Sequence, residues 1–321
     1  MLDHGGNLDA AARRFGGRLE DWIDLSTGIN RCPYPVPDLA LRHWTALPSR
    51  AEIEALHEAA QQAYGARTPV VALAGAQAAI QLLPHWLSGS EARILGPTYN
   101  EYAEVLRAAG WNVREVTNLE VLAGADLAII VNPNNPDGRV HDPSALLALL
   151  PRVGRLVVDE SFADAVPGLS LAPAAGRSGL LILRSLGKFY GLAGVRLGFV
   201  LGADADVAAL AQLAGPWPVS GPAIAIGRHA LGDREWAEAT LARLAEEAPR
   251  LDLMVQRAGW HFVGGTPLFR LYDVGNAAAA QDKLARARIW SRIFGERRGW
   301  LRLGLPGDDV EWARLAAALS R

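Results

Sequence analysis

Three short apolar runs, each breaking into a turn that carries a polar or ionisable side chain, constrain this chain most. They are Asp126-Leu127-Ala128-Ile129-Ile130-Val131, Arg155-Leu156-Val157-Val158 and Leu180-Leu181-Ile182-Leu183. Runs this short, rich in branched aliphatics and bounded by turn residues, read as buried strands. Each run gives way to different chemistry. The first passes into Asn132-Pro133-Asn134-Asn135-Pro136-Asp137-Gly138, whose prolines and asparagines forbid a helix and put amides on display. The second terminates in Asp159-Glu160-Ser161-Phe162, a carboxylate at a strand's carboxyl end. The third enters Arg184-Ser185-Leu186-Gly187-Lys188, and the chain returns through Gly194-Val195-Arg196 to a further apolar run, Leu197-Gly198-Phe199-Val200-Leu201. In open α/β sheets ligands collect beyond the carboxyl ends of strands, so Asn135, Asp159 and Lys188 are expected to converge on one crevice.

A lysine in a tight loop between two buried strands must be solvated, paired or chemically used. Buried amines shift readily to lower pKa, which suits Lys188 to Schiff-base chemistry with a carbonyl cofactor. Ser185, by its hydroxyl, and Arg196, by a charge-assisted fork, can then hold a phosphate. Plainer readings stand beside these. Lys188 can be a solvated loop lysine, Arg196 a structural arginine and Asp159 a helix N-cap.

From about 50 to 211 apolar runs alternate with helical patterns at 51–64, 99–109 and 143–150, as in a mostly parallel sheet. After Gly215-Pro216-Trp217-Pro218 the pattern changes to a long helix over 233–257, strand-like runs at 260–263, 268–272 and 300–305, and a closing helix from 308. The helix Asp308 opens has a second acid, Asp309, favourably placed at its positive end. A large domain over 50–211 is expected, with a small domain formed by 1–49 and 212–321.

Composition excludes several function classes. A net charge of −2 over 321 residues gives no electrostatic footprint for nucleic acid or an anionic membrane. The single cysteine, Cys32, rules out an internal disulfide and a multi-thiolate metal site. The seven histidines show no H-E-x-x-H or similar pair, so no metal is expected. No apolar run approaches the roughly 20 residues of a spanning helix, and Met1-Leu2-Asp3-His4-Gly5 lacks the features of a signal peptide. A soluble, cytoplasmic enzyme is expected.

The order of asparagine turn, strand-end aspartate and lysine loop, with His4-Gly5-Gly6-Asn7 and Pro216-Trp217-Pro218-Val219-Ser220, resembles the fold-type I pyridoxal-phosphate superfamily, the class I/II aminotransferases, over nearly the whole chain. Within it the chain is similar to histidinol-phosphate aminotransferases and, more closely, to the threonine-phosphate decarboxylase branch of cobalamin biosynthesis. The resemblance implies an α/β fold with a mostly parallel seven-stranded sheet, a smaller α+β domain, and pyridoxal 5'-phosphate as cofactor. Lys188 would carry the cofactor as a Schiff base, and Asp159 would pair with the pyridinium nitrogen and make the ring an electron sink. Asn135 would bond the ring's 3-oxygen and Tyr99 would stack on the ring. Gly75, Ala76 and Gln77 open a helix whose free N–H groups would bind the phosphate. Tyr64 would reach the phosphate of the neighbouring subunit of a homodimer. Tyr99 and Tyr64 also read as packing aromatics.

For the substrate, the resemblance implies that Arg302 holds a carboxylate, that Arg292 and His4 lie near acidic groups, and that Asn30 faces the substrate. Trp217 and Ser220 would line the same cavity. Such cationic groups suit an amino acid phosphate, although Arg292 and Arg302 also read as surface ion-pair partners. The activity implied is decarboxylation of L-threonine O-3-phosphate to (R)-1-amino-2-propanol O-2-phosphate. The alternatives are an aminotransferase acting on histidinol phosphate or an aromatic amino acid, and a non-catalytic scaffold in cobalamin assembly. Three features depart from the family pattern: Ala74-Gly75-Ala76-Gln77-Ala78-Ala79 lacks an acid common in relatives, Phe162 replaces a tyrosine, and the chain is short.

Overall fold

The computed structural model describes residues 5–320, so His4 lies outside the described residues. In chain order the elements are α1 (Leu8–Phe15), β1 (Ile23–Asp24), α2 (Arg42–Thr45), α3 (Arg50–Tyr64), β2 (Val70–Leu73), α4 (Ala76–Trp86), β3 (Glu91–Leu95) and α5 (Glu101–Ala108). They continue with β4 (Asn112–Val116), β5 (Leu127–Val131), α6 (Pro143–Leu147), β6 (Arg155–Asp159), β7 (Leu180–Ser185), β8 (Gly198–Leu201), α7 (Asp204–Ala214), α8 (Gly221–Gly232) and α9 (Arg234–Arg257). The last are β9 (His261–Thr266), β10 (Phe269–Asp273), α10 (Ala277–Arg286), β11 (Ile289–Trp290), β12 (Arg292–Phe294), β13 (Arg297–Gly304) and α11 (Asp309–Ser320).

The chain divides into a large unit, Tyr34–Asn135 with Arg139–Ala237, and a small unit, Met1–Pro33, Pro136–Gly138 and Glu238–Arg321. The boundaries therefore differ from those expected at 50 and 211: residues 34–49 and 212–237 belong to the large unit. Packing explains this. A Cβ on Gly227 of α8 would lie 2.4 Å from a methyl of Leu197 and 3.0 Å from one of Leu56 on α3, so α8 is pressed into the large unit's core. The proline-rich stretch at 216–218 marks a turn before α8 and no domain edge.

The large unit is built on a seven-stranded sheet of order β2-β8-β7-β6-β5-β3-β4, mostly parallel, with β8 antiparallel to both neighbours. Strands covered on both faces need continuous apolar sequence, and Leu127, Ala128, Ile129 and Ile130 are completely buried. Ile80 and Leu83 of α4, Leu106 of α5 and Leu210 of α7 join sheet residues Leu73, Val157 and Leu181 in one core. β3 and β4 carry no such run. Glu91 and Arg93 alternate along β3, and Arg114 and Glu115 lie on β4, the edge strand, where charge blocks further pairing. α3 begins in a reciprocal Ser49–Glu52 capping box and ends at Gly65 in the left-handed conformation.

The small unit contains an antiparallel sheet of order β12-β13-β10-β9 and a parallel pair, β1 with β11. That pair joins the two ends of the chain, with Ile23 beside Ile289 and Asp24 beside Trp290. Phe269, Leu271, Leu284, Leu301 and Leu315 form its buried interior. Among the described residues no helix is long and apolar enough to cross a membrane.

Candidate active site

In the large unit, register brings the chemistry-bearing turns level. Val131 lies beside Asp159 and Asp159 beside Leu183, while Ser185 pairs with Gly198 and Gly198 with Leu73. The carboxyl ends of β2, β5, β6 and β7 and the start of β8 thus share one end of the sheet, the expected place for a ligand.

One corner there gathers groups of the kind that can hold a phosphate. α4 opens at Gly75, which takes φ +82° and offers no side chain to cap the helix. Arg196, itself left-handed at φ 56°, sets its guanidinium 3.0 Å from where a Gly75 Cβ would stand. A Cβ on Gly198 would meet the Ala76 nitrogen at 2.5 Å, so only glycine lets β8 start flush against this turn. Ser185 closes the lysine loop by accepting the Gly187 N–H at 3.3 Å. Uncapped amides at a helix's positive end, a guanidinium and a hydroxyl are the donor set a phosphate dianion needs.

Asp159, at the end of β6, is 4% exposed. Its Oδ2 accepts the Tyr102 hydroxyl at 2.8 Å and its Oδ1 the Ser161 N–H at 2.9 Å. Burial, and then the Asp159 charge, raise the Tyr102 phenol well above its ordinary value, so it stays a donor. Half-buried Tyr99 meets Tyr102 edge-on with centroids 6.5 Å apart, and its hydroxyl donates to Gln77 Oε1 at 3.2 Å. Gln77 Nε2 in turn donates to Glu101 at 2.6 Å. Thus a carboxylate does reach the start of α4, supplied by α5 where the sequence of α4 itself lacks one. Asn134, bonded to Thr98 at 2.6 Å and to the Pro97 carbonyl at 2.9 Å, fixes the turn that presents half-buried Asn135. The Lys188 amine lies 5.5 Å from the centre of the buried Phe162 ring. A carboxylate, an amide, a stacking aromatic, a lysine and a phosphate corner together fit pyridoxal 5'-phosphate.

Behind these strand ends lies a buried ionic cluster. Arg184 donates to Glu160 at 2.8 Å and to Asp164 at 2.6 Å, and its guanidinium sits 4.2 Å from the centre of the Tyr64 ring. Burial pushes Glu160 and Asp164 up, against the pull of Arg184. Burial alone would lower Arg184, but Asp164 and Glu160 raise it. Tyr64 is 7% exposed and packs edge-on against Phe199. Within its own chain Tyr64 thus lies buried beneath Arg184.

The small unit carries the described residues expected for substrate. Arg302 on β13 is 5% exposed, donates to the Ser26 carbonyl at 2.5 Å and lies over the Phe269 ring. Arg292, half-buried on β12, stands directly opposite it in the antiparallel ladder. Burial, and then Arg292, pull the Arg302 guanidinium down to about 9, with Asp24 opposing. Like charges placed opposite across a ladder repel, so this pair gains from an added anion. The surface ion-pair reading fails for Arg302, which is buried. Asn30 is buried, and its Oδ1 accepts the Cys32 N–H at 3.0 Å and Arg243 at 2.8 Å, which commits that oxygen to the unit's own bonding. Trp217 and Ser220 belong to the large unit, where Trp217 is 53% exposed and Ser220 caps α8 through the Ala223 N–H. Among the described residues no group of three or more His, Cys, Asp or Glu side chains is placed to hold a metal ion.

Tyr102, Asn134, Glu101 and the Arg184 cluster are site residues that the sequence motifs do not single out. The helix expected over 99–109 begins only at Glu101, so Tyr99 precedes α5 while Tyr102 lies in its first turn. Alternation along β7 puts Arg184 on the face opposite Ser185.

The chain is similar to known proteins over nearly its whole length. Threonine-phosphate decarboxylase of Pseudomonas aeruginosa is 46% identical over 99% of this chain and 97% of its own length. That of Sinorhizobium sp is 44% identical over the same shares, 99% and 97%. The crystal structure of histidinol-phosphate aminotransferase from Sinorhizobium meliloti, in complex with pyridoxal-5'-phosphate, superposes with a TM-score of 0.84 at 21% identity, covering 99% of this chain and 94% of that one, a likeness of fold. The family model for aminotransferase class I and II matches residues 21–319. With a strand-end aspartate, a lysine loop and a phosphate corner set at one end of the sheet, the chain belongs to the class I and II aminotransferase family.

Proposed function

We propose that this protein uses pyridoxal 5'-phosphate to decarboxylate L-threonine O-3-phosphate, giving (R)-1-amino-2-propanol O-2-phosphate for cobalamin biosynthesis. The observation that carries the reading is its near-full-length likeness to two threonine-phosphate decarboxylases. The paired Arg292 and Arg302 support it, since they suit a small substrate with two anionic groups.

When bound, the cofactor supplies an electron sink for the electron pair left at the substrate's Cα. The α4 amides, Arg196 and Ser185 would hold its phosphate, Asn135 its 3-oxygen and Asp159 its ring nitrogen, and Tyr99 would stack on the ring. Lys188 would be the attachment point, and its amine, when not so engaged, would return a proton to the substrate's Cα. Arg292 and Arg302 decide which bond breaks. If they hold the substrate phosphate and leave its carboxylate free to turn, CO2 departs. Phe162 brings no hydroxyl to the Lys188 amine.

Purified, cofactor-loaded protein mixed with L-threonine O-3-phosphate, without a 2-oxo acid, should release CO2 and aminopropanol phosphate with the aldehyde form of the cofactor retained. Conversion to the pyridoxamine form without CO2 would mean an aminotransferase. We also propose a cytoplasmic homodimer. The exposed Val36 (56%), Leu41 (74%), Trp44 (66%) and Leu47 (67%) of the large unit support self-association, and sedimentation velocity tests it.

A further inference from the structure

Tyr102 is completely buried, in a core cluster that includes Leu106, Ile129 and Val157. Phenylalanine would fill the same space and spare the interior a hydroxyl. Buried hydroxyls are kept where they have a partner, and here that partner is Asp159 Oδ2, at 2.8 Å. The first turn of α5 and the residue just ahead of it make a second set of ties. Tyr99, three residues before Tyr102, bonds Gln77 at 3.2 Å, and Glu101 accepts from the same Gln77 at 2.6 Å. The entry and first turn of α5 thus grip both the end of β6, where Asp159 stands, and the start of α4, at Gln77. A bond between a charged acceptor and a neutral donor is among the stronger ones inside a protein.

We propose that Tyr102 is a positioning residue, which fixes the Asp159 carboxylate relative to the α4 phosphate corner so that both ends of pyridoxal 5'-phosphate are met at once. This rests on the cofactor reading above. It assigns Tyr102 a function in cofactor affinity and in the cofactor's electronic state beyond filling the core.

The test is an equilibrium titration of pyridoxal 5'-phosphate into the cofactor-stripped full chain, followed by absorbance, for wild type, Tyr102→Phe, Asp159→Asn and the double variant. Tyr102→Phe should bind roughly tenfold to a hundredfold more weakly, the loss expected for a bond to a charged group. It should also shift the pH at which the bound cofactor's absorbance changes. In the Asp159→Asn background the same substitution should change affinity by no more than about twofold, because its partner's charge is gone. Tyr102→His, which keeps a donor, should recover part of the loss. Wild-type affinity and spectrum in Tyr102→Phe would overturn the proposal, and so would an equal loss with or without the Asp159 carboxylate, the mark of packing alone. If Tyr102→Phe fails to fold, Tyr102→His decides: a folded variant that still binds more than a hundredfold more weakly overturns the proposal. A wild-type chain that does not bind the cofactor would sink the cofactor reading itself and this proposal with it.

Discussion

The Arg196 guanidinium occupies the space beside Gly75 that any larger residue would claim, with 3.0 Å between its Nη2 and the missing Cβ. Gly75→Ala meets two penalties at once, a methyl against Arg196 and a side chain at φ +82°. Cofactor affinity should fall by about tenfold or more, with a loss of about 1–2 kcal/mol in stability from the backbone alone. Titration of the stripped protein and thermal melts check the two effects separately.

Arg302→Met should raise KM for the phosphorylated substrate by roughly tenfold to a hundredfold, the scale of a lost charge-assisted bond. Arg302→Lys should not restore it, because an ammonium lacks the planar fork and the reach to the Ser26 carbonyl. Inorganic phosphate should stabilise wild type against heat in a concentration-dependent way, and this shift should shrink in either variant. Steady-state kinetics and melts in graded phosphate give the answer.

The Arg184 cluster predicts a pH dependence. Glu160 and Asp164 are raised in the folded state by burial, against Arg184. A carboxyl raised on folding stabilises the fold most fully below its ordinary value near 4 and loses that contribution as pH rises through the raised value. Unfolding free energy should therefore slope downward through the weakly acidic range, by up to about 1.4 kcal/mol per pH unit for each proton. Glu160→Gln should flatten the slope. Denaturant melts between pH 4 and 7 measure it. Arg184→Met should be far more damaging, about 3–5 kcal/mol, since it strands two buried carboxyls.

Lys188→Ala should keep the fold and bind the cofactor without attachment. Borohydride treatment should then leave no cofactor mass on the chain, whereas wild type should gain it at Lys188. Turnover should drop by at least about a thousandfold, the scale of losing both attachment and proton transfer.

Much of the frame is legible in the sequence because burial dictates composition. β5, β6 and β7 are apolar runs broken by turns, and the residues at their carboxyl ends are those whose chemistry points to the cofactor. β3 and β4 are not visible in this way, since Glu91, Arg93, Arg114 and Glu115 interrupt any strand pattern. The domain boundary falls elsewhere than expected because Pro216 and Pro218 announce a turn, and no composition rule tells that α8 then packs against Leu56. Tyr64 and Tyr102 show the other limit. Each is a buried tyrosine on a helix, and only the long-range neighbours, Arg184 over the ring of one and Asp159 at the hydroxyl of the other, tell the two apart.

The reversed direction of β8 has a consequence for how the protein matures. Gly75 and Arg196 are more than a hundred residues apart in the chain, yet they form one corner because β8 comes back between β2 and β7. Local folding cannot make such a corner, since its loop-closure entropy is repaid only when the distant strands pair. A nascent chain that ends before β8 can own the reactive lysine and still be unable to retain the coenzyme. Colour acquired during refolding with the coenzyme should therefore trail the recovery of secondary structure.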